Sequence, residues 1–207
     1  MGKGDLMPFI VLEGLDGAGG STQTNLLKEF FKKKNIPYVF VKSPEYGTET
    51  GKSIRDYLDG KIKLKPKEAF VLFATDVLNS LPMIKKGLEE NKIVIADRYI
   101  TSTIAYQCAN GFSFDSALNF VKLHEYPDSD AIIFIDIKPE TSMKRKLKEH
   151  GRLDRHEKDL EFLKKVRDFY FREINENVLG KWVVIDGERD KDDIHEDILK
   201  VINSLKR

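Results

Sequence analysis

Five short runs of apolar, largely β-branched residues punctuate the chain: FIVLE (9–13), YVFVK (38–42), IVIAD (93–97), AIIFIDI (131–137) and WVVID (182–186). Each is apolar nearly throughout rather than alternating, the pattern of parallel strands covered by helices on both faces. Between them, apolar residues recur at helical spacing. TNLLKEFFKKKN puts Leu26, Leu27, Phe30 and Phe31 on one face and ends in lysines that suit the negative end of a helix dipole. Leu160, Leu163, Val166, Phe169, Tyr170 and Ile174 mark another stripe, and DDIHEDILKVINSLKR opens acidic and closes basic. Strands alternating with helices predict an α/β fold of three layers, a doubly wound sheet of five parallel strands with helices on both faces. No repeat, low-complexity tract or linker divides the 207 residues, so a single domain over 1–207 is expected.

A net charge of +1 offers no global field for nucleic acid or a membrane surface, so any anion must be caught locally. Cys108 is the single cysteine, which excludes an internal disulfide and points to a reducing, cytoplasmic setting. No apolar run nears the ~18 residues of a membrane span, and MGKGDLMPF lacks the apolar core of a signal peptide. His124, His150, His156 and His195 show no metal-ligand spacing and are expected at the surface, while Cys108 is expected to pack.

The first apolar run leads into GLDGAGGST (14–22), which opens a helical segment. Strand, glycine-rich turn and helix together let backbone N–H groups converge on a phosphate. Gly14, Gly17, Gly19 and Gly20 allow the backbone to curl closely, and Ser21 offers a hydroxyl to Mg2+. Such a loop normally carries a lysine where this chain has Gly20. Asp97 ends a buried strand, where open α/β sheets bind their ligands.

FIVLEGLDGAGGSTQ, PEYGTETGKSIRDYL, FVLFATD, VIADRYITSTIAYQ and GRLDRHEKDLEFLKKVRDFYF, in that order, resemble the thymidylate kinases, a family of P-loop nucleoside-monophosphate kinases. The resemblance spans residues 8 to 174, and the DRY..S..AYQ block is its most specific part. It implies transfer of the γ-phosphoryl group of ATP to dTMP with Mg2+, small-molecule nucleotide partners, a homodimer and a short lid at about 148–157.

Residue by residue, the resemblance makes Gly14, Leu15, Asp16, Gly17, Ala18, Gly19, Gly20, Ser21 and Thr22 the ATP loop, with Arg145 against the donor adenine. Asp16 lies near the acceptor sugar and phosphate. Asp97 joins Ser21 on the metal side, and Arg98 grips the acceptor phosphate; a structural ion pair between these neighbours is the alternative. Tyr46 stands where other members have arginine or glycine, and a phenol still hydrogen-bonds phosphate. Phe73 stacks on thymine, Tyr106 crowds the 2′ position of the sugar, and Thr103 and Gln107 contact the base edge. Val77 replaces an arginine that reaches the thymine carbonyl. Ala18 brings no arginine to the loop, so Arg152 and Arg155 of the lid are expected to carry the missing charge. Two other readings stay open: a kinase for another pyrimidine monophosphate, and a catalytically impaired nucleotide-binding protein.

Overall fold

A computed structural model of the chain describes residues 7–205, the side chain of His150 excepted. Most of MGKGDLMPF and the last two residues of the C-terminal helical stretch therefore lie outside the described residues. The strands fall where the apolar runs predict them: β1 (Phe9–Gly14), β2 (Tyr38–Lys42), β3 (Ile93–Asp97), β4 (Ser129–Asp136) and β5 (Gly180–Asp186). They form one sheet in the order β2-β3-β1-β4-β5, and every pairing is parallel.

Burial separates the centre from the edges. All residues of β1 and β3 are buried, as their unbroken apolar sequences require. The edge strands are only partly covered; Val184 of β5 is 45% exposed. The expectation of burial on both faces thus holds for the central strands and fails for β2 and β5, whose outer edges no further strand among the described residues protects.

Among the described residues, eight helices connect these strands: α1 (Gly20–Lys33), α2 (Glu49–Leu58), α3 (Pro66–Glu89), α4 (Ile100–Ala109), α5 (Phe114–Leu123), α6 (Pro139–His150), α7 (Leu160–Glu176) and α8 (Lys191–Leu205). Local chemistry sets their ends. Thr48 caps α2 by accepting from the Gly51 amide at 3.0 Å, and Asp159 caps α7 through the Phe162 amide at 3.0 Å. α6 stops at Gly151, whose φ of 68° is left-handed. Leu27 and Phe31 seat α1 on the sheet, while Leu163, Val166 and Tyr170 seat α7.

Register decides what meets at the site. Leu12 of β1 and Lys42 of β2 both pair with Asp97, and Gly14 pairs with Ile135. Parallel strands in this register bring the glycine-rich loop, Lys42 and the Asp97–Arg98 step together at the carboxyl ends of the strands, where such folds hold ligands.

Candidate active site

Residues 14–22 curl between β1 and α1. A Cβ on Gly14 would lie 2.8 Å from both the Ala18 Cβ and the Ile135 carbonyl oxygen, so only glycine allows this close approach. Gly17 and Gly19 have φ of 78° and 102°, which glycine adopts without strain. Gly19 caps α1 without a side-chain hydrogen bond, leaving the first helical N–H groups available to an anion. The loop borders a cavity of about 830 Å³ that also takes in Lys42, Tyr46, Phe73, Thr103, Arg145 and the segment Arg152–Lys158.

Asp16 is the hub of the cavity. Arg98 donates to its Oδ1 at 2.8 Å and the Tyr106 hydroxyl to its Oδ2 at 3.0 Å. Burial alone would raise the Asp16 carboxyl, but Arg98, the Tyr106 hydroxyl and Lys146 outweigh it and hold the group below its usual value. Arg98 is itself fixed by the Ser102 hydroxyl at 2.9 Å and the Tyr170 hydroxyl at 3.3 Å. Its φ of 70° is unusual for a residue with a Cβ. Behind this arginine the buried Glu13 accepts from Tyr99 N, Thr101 Oγ1 and Tyr170 OH at 3.0, 2.6 and 2.8 Å. A carboxylate so deep in the sheet is held by many donors, as burial of charge demands.

Ser21 Oγ lies 3.4 Å from Asp97 Oδ2, a hydroxyl and a carboxylate side by side at the loop. Hard oxygens of this kind suit Mg2+, which takes few protein ligands and fills its shell with water and phosphate. Lys42 Nζ shares the spot, 3.3 Å from Ser21 Oγ and 3.6 Å from Asp97 Oδ2. Arg145 holds the Gly17 and Gly187 carbonyls at 3.1 and 3.0 Å, buttressing the loop from α6.

Phe73 and Thr103 line the cavity, with Phe73 edge-on to Tyr57 at 6.1 Å. Tyr46 lies under the Arg55 guanidinium at 3.9 Å; its phenol is pushed up to about 12 by burial, against the lowering effect of Arg55. Two residues expected at the base depart from this group. Gln107 is fully buried, does not border the cavity, and neither amide atom has a hydrogen-bond partner among the described residues. One helical step past Tyr106 turns it into the core. Val77 is likewise in the core and away from the cavity, its neighbour Asp76 accepting from the Ser43 hydroxyl at 2.7 Å.

The segment after Gly151 carries Arg152 and Arg155, the arginines expected in a lid. Arg152 is largely solvated, with Nη2 4.0 Å from Asp59 Oδ1. The Arg155 guanidinium lies 4.3 Å over the Tyr57 ring. Both border the cavity, but their recorded partners belong to α2 and the residue after it rather than to the loop. Asp154 closes the turn by accepting from the amides of His156 and Glu157 at 2.8 and 2.9 Å; desolvation lifts its carboxyl to about 6.

His156 corrects the expectation of a surface histidine. It is buried against Phe162, Tyr106 and Tyr57, with ring centroids at 4.9, 5.6 and 5.9 Å, and desolvation drops its imidazole to about 4. His195 is half-buried, with Nδ1 3.2 Å from Gln23 Oε1, His124 is exposed, and the His150 side chain is outside the described residues. Cys108 is buried and its thiol is pushed up to about 12, in keeping with a packing role.

The thymidylate kinase family model matches residues 12–198, nearly the whole chain. The chain belongs to the thymidylate kinase family. A thymidylate kinase of Fervidobacterium nodosum is 36% identical over 201 residues, covering 95% of this chain and 98% of its own. A probable thymidylate kinase of Thermococcus onnurineus is 35% identical, covering 96% and 100%, and a thymidylate kinase of Kosmotoga olearia is 32% identical, covering 93% of each. The chain is thus a phosphotransferase of the thymidylate kinase family with the α/β P-loop fold. No described helix is long and apolar enough to cross a membrane.

Several residues of this thymidylate kinase site escaped the sequence reading. Glu13, Ser102 and Tyr170 stand inside the recognised blocks but act through side chains far apart in sequence. Lys42 did leave a signal: a charged residue closing an apolar strand at the end where ligands bind.

Proposed function

We propose that this protein transfers the γ-phosphoryl group of ATP to dTMP, giving dTDP and ADP. The observation that carries the reading is the Asp16–Arg98–Tyr106 cluster, joined to the glycine-rich loop and opening on the same cavity as the lid. An acceptor monophosphate beside this cluster would be gripped by Arg98, its sugar placed against Asp16 and Tyr106, and its base against Phe73 and Thr103. Tyr46 adds a neutral donor to the phosphate.

The acceptor is already an anion at neutral pH, so no general base is required. One of its phosphate oxygens forms a bond to the γ-phosphorus while the bond to the β–γ bridging oxygen breaks, leaving the electron pair on ADP. Catalysis of this step rests on alignment and neutralisation of charge. Mg2+ held at Ser21 and Asp97 would neutralise the donor oxygens, and the N–H groups of the loop hold them. Arg145 steadies the loop on the adenine side, and Arg152 and Arg155 extend the positive surface around the donor. A homodimer, a single domain over the whole chain and a cytoplasmic setting belong to the same reading.

The test is a coupled assay of ADP release with ATP and Mg2+, comparing dTMP, dUMP, UMP and dCMP. Preference for dTMP is expected. Turnover of a different monophosphate would reassign the acceptor, and nucleotide binding without turnover with any of them would remove the kinase reading.

A further inference from the structure

Position 20 lacks the loop lysine, and β2, two strands from β1 in the sheet, brings a lysine close to it. A Cβ on Gly20 would meet one heavy atom within 4 Å outside its own helix and chain neighbours, Asp97 Oδ1 at 3.1 Å. A lysine there would therefore set out past Asp97. Lys42 reaches the same ground from β2: it pairs with Asp97 in the sheet and sets its Nζ 3.3 Å from the hydroxyl of Ser21, the residue after Gly20. We propose that Lys42 is the catalytic cation of the donor site, replacing from β2 the lysine that the loop does not carry.

Most other cations bordering the cavity are engaged elsewhere, and Arg152, largely solvated, lies beside Asp59 rather than at Ser21. Arg145 holds two backbone carbonyls, and Arg98 is tied to Asp16, Ser102 and Tyr170. Lys146 pairs with Glu149 and Glu157 at 3.1 and 3.5 Å, and Arg155 lies on Tyr57. Lys42 instead contacts Ser21 and Asp97, the same two residues suited to Mg2+; its side chain is 41% exposed and borders the cavity. A metal bound at those oxygens leaves the ammonium to pair with phosphate. A lysine suits this position because it is a compact charge on a flexible stem. In the transfer step Lys42 neutralises the charge that gathers on the β–γ bridging oxygen as its bond to the γ-phosphorus breaks, and no proton moves.

The proposal rests on the ATP-dependent phosphotransfer reading, so its test has a binding arm as well as a kinetic one. Lys42→Met, Lys42→Arg, Gly20→Lys and the Lys42→Met/Gly20→Lys double variant are compared by kcat with dTMP and by calorimetric affinities for ATP and ADP. A thermal melt of each establishes that it is folded. Lys42→Met is expected to lower kcat by about 10²–10³-fold, the scale of one lost charge-stabilising donor, and to shrink the preference for ATP over ADP. Lys42→Arg retains part of both. Gly20→Lys should raise kcat far more in the Lys42→Met background than in the parent, because the two lysines serve one place. A kcat within about threefold of the parent for folded Lys42→Met, measured against that 10²-fold scale, overturns the proposal; so do equal gains from Gly20→Lys in both backgrounds. If the parent itself does not phosphorylate dTMP, the phosphotransfer reading fails separately. Lys42 is then judged by binding alone, and an ATP-over-ADP preference untouched by Lys42→Met overturns it as a phosphate ligand.

Discussion

The parts of the cavity that we propose for the acceptor and for the donor are built on different plans. Around the acceptor position, Asp16, Arg98, Ser102, Tyr106, Tyr170 and Glu13 form one continuous hydrogen-bonded unit spanning β1, α4 and α7. Around the donor position the groups are anchored separately: backbone amides of the loop, Arg145 on two carbonyls, Lys42 on Ser21, and lid arginines resting on Tyr57 and beside Asp59. The first arrangement fixes geometry before any ligand arrives, and preorganised charge of that kind carries much of an enzyme's effect. The second leaves cations with room to rearrange, which fits a chain that keeps a phosphate loop without its lysine. Removing Arg98, the centre of the acceptor unit, should therefore be severe, and removing the lid arginines milder.

The sharpest test is Arg98→Ala. Arg98 contacts three side chains of the unit, and its loss strips Asp16 of its strongest partner. We expect kcat/KM for dTMP to fall by about 10³-fold, roughly 4 kcal/mol. Arg98→Lys should recover only a fraction, because a point charge cannot reproduce the guanidinium fork. A loss below about tenfold, or 1.4 kcal/mol, would break the comparison by showing that Arg98 only steadies Asp16.

Next in size is a pH effect confined to the lid. His156 has its folded-state value depressed to about 4 by burial, so its contribution to stability is intact above the ordinary histidine value and is lost as pH falls toward 4. The full linkage is on the order of 3 kcal/mol. Asp154 works the other way. Its carboxyl is raised to about 6, so the folded lid takes up a proton there and gains stability as pH falls through that value. The two oppose each other between about pH 4 and 6. Thermal melts from pH 4 to 7 should show His156→Phe losing less stability on acidification than the parent, and Asp154→Asn losing more. Parallel curves for all three would mean that neither group is held in the lid as the structure has it.

The sequence foretold the sheet better than the site, and for physical reasons. A strand buried on both faces must be apolar nearly throughout, so β1, β3 and β4 announce themselves. The short helix α4 does not: every residue from Ile100 to Cys108 is buried, which erases the polar–apolar stripe that marks an amphipathic helix. Asp16, Arg98 and Tyr106 were found through the family blocks, and they do meet. Gln107 was placed one helical step too far round, and Val77 sits in the core rather than on the base. Lys42 left only the signal of a charge closing an apolar strand, and its contact with Ser21 comes from strand register. The burial of His156 depends on how its segment packs against Tyr57, Tyr106 and Phe162, which leaves no local pattern.

On the donor side, the pair Arg152→Ala/Arg155→Ala should lower kcat by about 10²-fold, or 2.7 kcal/mol. The double variant should bind ATP more weakly at low salt while leaving the KM for dTMP nearly unchanged. A loss far greater than that of Lys42→Met would return the missing charge to the lid, and one greater than that of Arg98→Ala would reverse the ranking of the two regions.

The smallest expected effect is also the finest probe of the acceptor unit. Tyr106 does two separable things: its hydroxyl donates to Asp16 at 3.0 Å, and its ring packs beside His156, Phe162 and Tyr170. Tyr106→Phe deletes only the first. A hydrogen bond to a charged acceptor contributes about 1.5–3 kcal/mol, but Arg98 still holds Asp16, so the observable loss should sit near the lower bound, about tenfold in kcat. The ring proposed to crowd the sugar remains, and the ratio of dTMP to UMP turnover should not change. Tyr106→Ala removes the ring as well and should let that ratio fall. If the phenylalanine variant instead loses the deoxyribose preference, discrimination belongs to the hydroxyl and its carboxylate, and the acceptor unit reads the sugar through charge rather than through shape.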